Sequence, residues 1–197
     1  MFTSRSFVLT SVAALAAGAA LGIGAPLLGA TEATVGNAIH LTLSGGWFWA
    51  AFSFCVGFAR TSRLESAVLS SVSLVVAVVT YYVTKLWQEG SFDSSVFSRI
   101  IFWSMAAAAF GPILGVAGNL ARNHGLRGLA FRVLIPLMAI VETSQRIRLE
   151  SPSMGATAGA TWGCIRLVAV AAVFALVGHA VIIWRLRPGV RRRGFDA

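Results

Sequence analysis

The stretch LAFRVLIPLMAIVETSQRI, Leu129 to Ile147, decides how the rest of the chain is read. Its first half is apolar enough to lie in a membrane, yet it closes on Glu142, Thr143, Ser144, Gln145 and Arg146. An ionisable group at bilayer depth costs roughly 2.5–3.5 kcal/mol on insertion scales, so it faces a partner, a cavity or the interior of a helix bundle. Glu142 and Arg146 stand four residues apart, hence on one helix face, and partly neutralise each other. Pro136 cannot donate to the carbonyl of Arg132, which predicts a bend about a turn and a half before Glu142.

Composition extends this reading to the whole chain. Of 197 residues, 57% are hydrophobic and 12% charged, against about a quarter charged in soluble domains. Several apolar blocks reach the ~20 residues that a helix needs to cross the hydrocarbon layer. The expectation is an all-α, polytopic six-helix membrane bundle over residues 1–184 and a basic cytoplasmic tail over 185–197. The net charge of +9 does not point to nucleic acid, because the basic residues sit at the ends of apolar blocks and set orientation. Lys85 is the single lysine among 16 basic residues, and Ala, Gly, Val and Arg are abundant, which fits a GC-rich bacterial genome and a bacterial cytoplasmic membrane. Cys55 and Cys164 lack metal-ligand companions and read as small apolar packing residues.

Taken in order, Phe7 to Leu28 is an Ala/Gly/Leu block, either a signal peptide or an uncleaved first span. Its length and the Gly18/Gly22 small face favour the span. The connection Ala30 to Leu41, with Glu32, Asn37 and His40, reads as an outer loop, and span two as Leu41 to Ala59, with Trp47 and Trp49 as interface anchors. Span three, Ser66 to Leu86, carries Ser66, Ser70, Ser73, Ala77, Thr80 or Tyr81, and Thr84 on one small, hydroxyl-bearing face, for tight packing or a wet cavity. Gln88 to Ser98, with Glu89 and Asp93, is outside. Span four, Arg99 to Ala121, holds Gly111, Pro112, Gly115 and Gly118, and Pro112 releases the carbonyl of Ala108. Arg122, His124 and Arg127 turn the chain on the inner side. The stretch Arg148 to Cys164, with Glu150, Pro152 and Trp162, reads as an outer loop, and span six as Ile165 to Trp184. With both termini inside, Arg5, Arg60, Arg63, Arg122, Arg127, Arg132, Arg185, Arg187, Arg191, Arg192 and Arg193 are inner, which makes 11 of 16, as the positive-inside rule asks.

This topology places Glu142, Arg146, Tyr81, Tyr82, Trp103 and Arg166, with Trp47, Lys85 and Arg99, in the outer half, where they would rim a pocket between helices. The sharp reading is a small polar or zwitterionic solute held by Glu142 and Arg146 with aromatic residues stacking. The plain reading is a structural ion pair and ordinary interface anchors. His40 and His179 have no partners at ligand spacing, and no nucleophile elbow, zinc-protease helix, P-loop or dinucleotide glycine motif is present. No enzyme activity, cofactor or metal is expected. The expected partners are the lipid bilayer, a small solute and a membrane protein.

The Asn37 turn, the aromatic start of span two, Tyr81-Tyr82, the Gly111-Pro112-x-x-Gly115-x-x-Gly118 core and Glu142 resemble a family of actinobacterial multi-pass membrane proteins of unknown function. The likeness runs from about Ala30 onward and implies about six helices in a bacterial plasma membrane. Gln145 and Arg146 depart from that pattern, so the ion pair rests on this sequence alone. A fainter likeness is to the six-helix substrate-capture subunits of bacterial vitamin uptake systems, through Ala13, Ala17, Ala16 and Ala20; it implies an outer ligand site and an energising partner. Two functional classes follow: solute binding or translocation, or a non-transporting accessory protein that docks a partner through small-residue faces.

Overall fold

The computed structural model describes residues 4–29, 34–90, 94–123, 125–149 and 155–186. Glu32, Asp93, His124, Glu150, Pro152 and the tail from Arg187 lie outside them. The regular structure is all α: α1 Ser4–Gly29, α2 Thr34–Leu43, α3 Gly46–Phe58, α4 Arg63–Glu89, α5 Ser94–Leu120, α6 Leu126–Arg132, α7 Leu134–Leu149 and α8 Ala156–Leu186. Among the described residues α1, α4, α5 and α8 are long and apolar enough to cross a membrane. A helix is the form such a segment must take, because it satisfies every backbone polar group within itself. The pair α2 and α3 passes as a fifth span with a 62° bend at a short break. In the segment read as span five, α6 and α7 follow one another across Val133, and neither alone reaches ~20 residues.

Side-chain size is sorted inversely to a soluble core. The centre is small: Ala77, Ala121, Ser53, Ser66, Ser70, Ser73 and Thr143 have no exposed surface. Large apolar groups such as Val68, Val83, Phe102, Phe110, Ile113 and Phe174 face outward. Between helices in lipid, hydrophobic burial supplies little drive, so close backbone approach and interhelical hydrogen bonds hold the bundle. α4 packs on α5 and α1, and α3 packs on both α4 and α5. A Cβ on Gly57 would stand 2.5 Å from the Cα of Gly115, and one on Gly22 would collide with Thr80 and the Ala77 carbonyl. The serine face of α4 therefore serves packing. Ser70 donates to the Ser53 carbonyl at 2.8 Å and Ser66 to the Gly57 carbonyl at 3.0 Å.

The two prolines that predict bends sit differently in their helices. α5 continues through Pro112, and the Ala108 carbonyl released there accepts from the Ser71 hydroxyl at 3.3 Å. Pro136 lies in the first turn of α7, just past the break at Val133, where a missing N–H costs little.

Four expectations are corrected. Much of the Ala30–Leu41 connection is helix α2, which buries Leu41 and turns Val35 and Ile39 outward. The Arg148–Cys164 loop is helical from Ala156, where α8 packs on α7 with Ala158 buried; Trp162, assigned to that loop, is completely buried. Cys55 and Cys164 are exposed on the bundle surface, so they do not fill its core. Arg60 is 6% exposed and donates to the Ser11 hydroxyl at 2.9 Å, so it is more than a boundary charge.

The same end of the bundle shows why the arginines are there. The Arg60 carbonyl accepts from Asn119 Nδ2 at 2.6 Å and Arg122 Nη1 at 2.9 Å. Arg132 Nε donates to the Ala121 carbonyl at 2.8 Å and its Nη2 to Asn123 at 3.3 Å. Cations thus satisfy the orphan carbonyls at the C-terminal ends of α3 and α5, where the helix dipole also favours positive charge.

Candidate functional site

The break between α2 and α3 creates the site. Ser44 and Gly45 interrupt the helix, and α3 restarts at Gly46 with free N–H groups and no side-chain cap from Gly45. Glu142 on α7 supplies the missing anion. Its Oε1 accepts from the Gly46 N–H at 2.9 Å and its Oε2 from the Trp47 N–H at 2.7 Å, while the Phe48 N–H goes to the Gly45 carbonyl. A residue almost a hundred positions away in the chain therefore caps the N–H groups at the start of α3, where carboxylates are favoured by both hydrogen bonding and the dipole. Gly46 permits the approach, since a Cβ there would stand 3.2 Å from Oε2.

Arg146 completes the charge balance. Its Nε donates to Glu142 Oε1 at 2.9 Å, and both side chains are about three-quarters covered. The guanidinium lies 4.9 Å over the Trp162 ring, a geometry in which the ring face attracts the cation. Trp162 in turn packs with Leu41, Ala158, Ile147 and Ile165. The arrangement thus ties α2, α3, α7 and α8 together around one carboxylate.

The other predicted residues divide. Tyr81 and Tyr82 meet edge to face at 5.2 Å, and Tyr81 meets Trp49 of α3 at 6.0 Å. They meet α3 through the Trp49 ring, two residues after the Trp47 N–H that Glu142 holds. Trp103 is half exposed beside Phe102 on α5, and Arg166 is exposed on α8; the structure does not bring these two to Glu142. His40 Nδ1 bonds the Ala25 carbonyl at 2.9 Å, holding α2 to α1. Lys85 lies 3.7 Å from Glu89 along the exposed edge of α4. The indole N–H groups of Trp47 and Trp162 are buried without a hydrogen-bond partner.

Two surface cavities lie elsewhere. One of about 350 Å³ runs along Thr34, Ala38 and Thr42 of α2, and one of about 510 Å³ lies between α5, α6 and α7. Sequence reasoning found the Glu142–Arg146 pair but missed Gly46 and Trp162. The consecutive Gly45 and Gly46 were the available signal for the break.

No characterised protein and no solved structure matches the chain. Residues 1–187 match the profile of a family of unknown function, DUF6518. Covering nearly all of the chain, that match makes this helical, membrane-type protein a member of the DUF6518 family.

Proposed function

We propose that the protein is a six-span membrane protein, both termini on the cytoplasmic side, that binds a small zwitterionic solute at the α2–α3 break. The observation that carries this reading is the Glu142 carboxylate seated on the Gly46 and Trp47 N–H groups of an interrupted span. In secondary transporters, half-helix N-termini at such interruptions take anionic groups of the cargo; this is an analogy of architecture, not of descent. Here the position is filled by the protein's own acid. A zwitterion enters by exchange: its carboxylate takes the two N–H groups, and its ammonium pairs with the released Glu142. Arg146 remains beside both charges, with its guanidinium over the Trp162 ring. The sixth span is α6 with α7, and the distribution of arginines supports the orientation.

The test is thermal unfolding of the detergent-purified protein against small zwitterions such as amino acids and betaines. A ligand at 100 times its Kd adds about 2.7 kcal/mol. A shift present in the native chain and lost in Glu142→Gln, with the variant still folded, supports the reading. A second reading, an accessory protein that docks a partner helix, is favoured by how fully the carboxylate is already engaged. It predicts no zwitterion-dependent shift in either protein.

A further inference from the structure

The groove between α5, α6 and α7 runs from Pro112 and Ile113 at one end to Leu120, Phe131 and Leu134 at the other, a volume of about 510 Å³ with apolar walls. Eight residues of α5 separate its ends, ~12 Å of helix, close to the ~15 Å depth of one leaflet's hydrocarbon. The groove finishes at Leu120, next to Ala121, whose carbonyl Arg132 holds, and at Phe131, the residue before Arg132. Arg127 is exposed and lies one helical turn from Phe131 on the same face of α6. Arg132 bonds neutral carbonyls just past the end of α5, and Arg122 bonds the neutral Arg60 carbonyl just past the end of α3. Among the described residues no acid comes within ion-pair distance of these three. A cationic mouth on an apolar, leaflet-deep groove is complementary in both length and charge to one kind of molecule.

We infer that this groove is a specific site for an anionic phospholipid, with an acyl chain against Ile113, Leu120 and Leu134 and the phosphate at Arg127 and Arg132. The site is independent of Glu142 and of the solute reading. Carbonyl bonding leaves the guanidinium charge intact, so Arg132 holds the end of α5 and attracts the headgroup at once. Basic pockets between membrane helices recognise headgroups in this way.

The experiment is native mass spectrometry of the full chain released from detergent containing equal phosphatidylglycerol and phosphatidylcholine. One phosphatidylglycerol should be retained in preference to phosphatidylcholine. Arg127→Gln, which removes no internal hydrogen bond, should weaken retention about fivefold, and Arg127→Lys should restore most of it. Val116→Trp, which fills the groove, should displace the lipid while the protein stays monodisperse. Equal retention of the two lipids, or wild-type retention in both Arg127→Gln and Val116→Trp, overturns the site. So does protection by inorganic phosphate alone equal to that by the lipid, since the groove would then contribute nothing.

Discussion

The α3–α4–α5 contact and the α2–α3 break solve opposite problems with the same backbone. In the first, glycines and serines bring helices so close that carbonyls and hydroxyls of neighbouring helices touch, as Ser70 does with Ser53 and Gly115 with Ser66. These contacts are made by uncharged groups, and a Cβ on Gly57, Gly111, Gly115 or Gly118 would collide with a neighbouring helix. In the second, the helix stops, and the orphaned N–H groups of Gly46 and Trp47 draw in a carboxylate from α7. Continuous helices close a membrane protein by shape; an interrupted helix must be closed by charge. Only the second arrangement holds charges and backbone donors that an outside ligand could take over, which is why the proposed solute site lies there.

The sharpest way to break the contrast is to add volume to the shape-closed region. Gly57→Leu drives a side chain into the Gly115 backbone, which cannot yield as a flexible side chain would. The expected loss is about 3 kcal/mol or more, seen as poor recovery of monodisperse protein and a collapsed thermal transition. An unchanged transition would mean that α3 and α5 are not held this closely.

The charge-closed region should respond to charge and tolerate volume. Glu142→Gln keeps the shape but offers one acceptor oxygen to two N–H groups and removes the carboxylate that accepts from Arg146. An expected cost of about 2 kcal/mol follows for charged hydrogen bonds lost in a largely covered site. Arg146→Gln should cost less, about 1 kcal/mol, because Glu142 retains both backbone donors and the dipole of α3 while its i,i+4 pair and the cation–aromatic contact are lost. Chemical or thermal unfolding of the two variants side by side checks the order. The reverse order would make Glu142 chiefly a partner of Arg146 rather than the cap of α3.

The shape-closed region was legible from the sequence. Ser66, Ser70, Ser73 and Ala77 recur at helical spacing, and glycines accompany Pro112, so both faces of the contact carry a local periodicity. The charge-closed region was legible only by halves. Glu142 and Arg146 sit on one helix face and can be paired by counting, but the N–H groups of Gly46 and Trp47 bear no side-chain signature, and their distance in sequence is invisible to periodicity. Trp162 was lost for a related reason: small residues around it look like a loop in water, whereas here they start α8, which packs on α7 with Ala158 buried. The arginines were read as orientation signals, which hides the carbonyls that Arg122 and Arg132 cap.

Pro112 offers a smaller test that joins the two modes, because it creates an orphan carbonyl inside the shape-closed region. Ser71→Ala removes the hydroxyl that reaches the Ala108 carbonyl. At 3.3 Å this is a long hydrogen bond, so the expected cost is about 0.5 kcal/mol, the low end for a neutral pair. In a Pro112→Ala background residue 112 regains its N–H and can donate to Ala108 itself, so removing the Ser71 hydroxyl should cost almost nothing. A double-mutant cycle on thermal unfolding isolates the difference. Equal costs in both backgrounds would mean that Ser71 acts through packing on Gly111, where a Cβ would come within 2.6 Å of its Cα. In that case the proline-released carbonyl would be closed by shape as well.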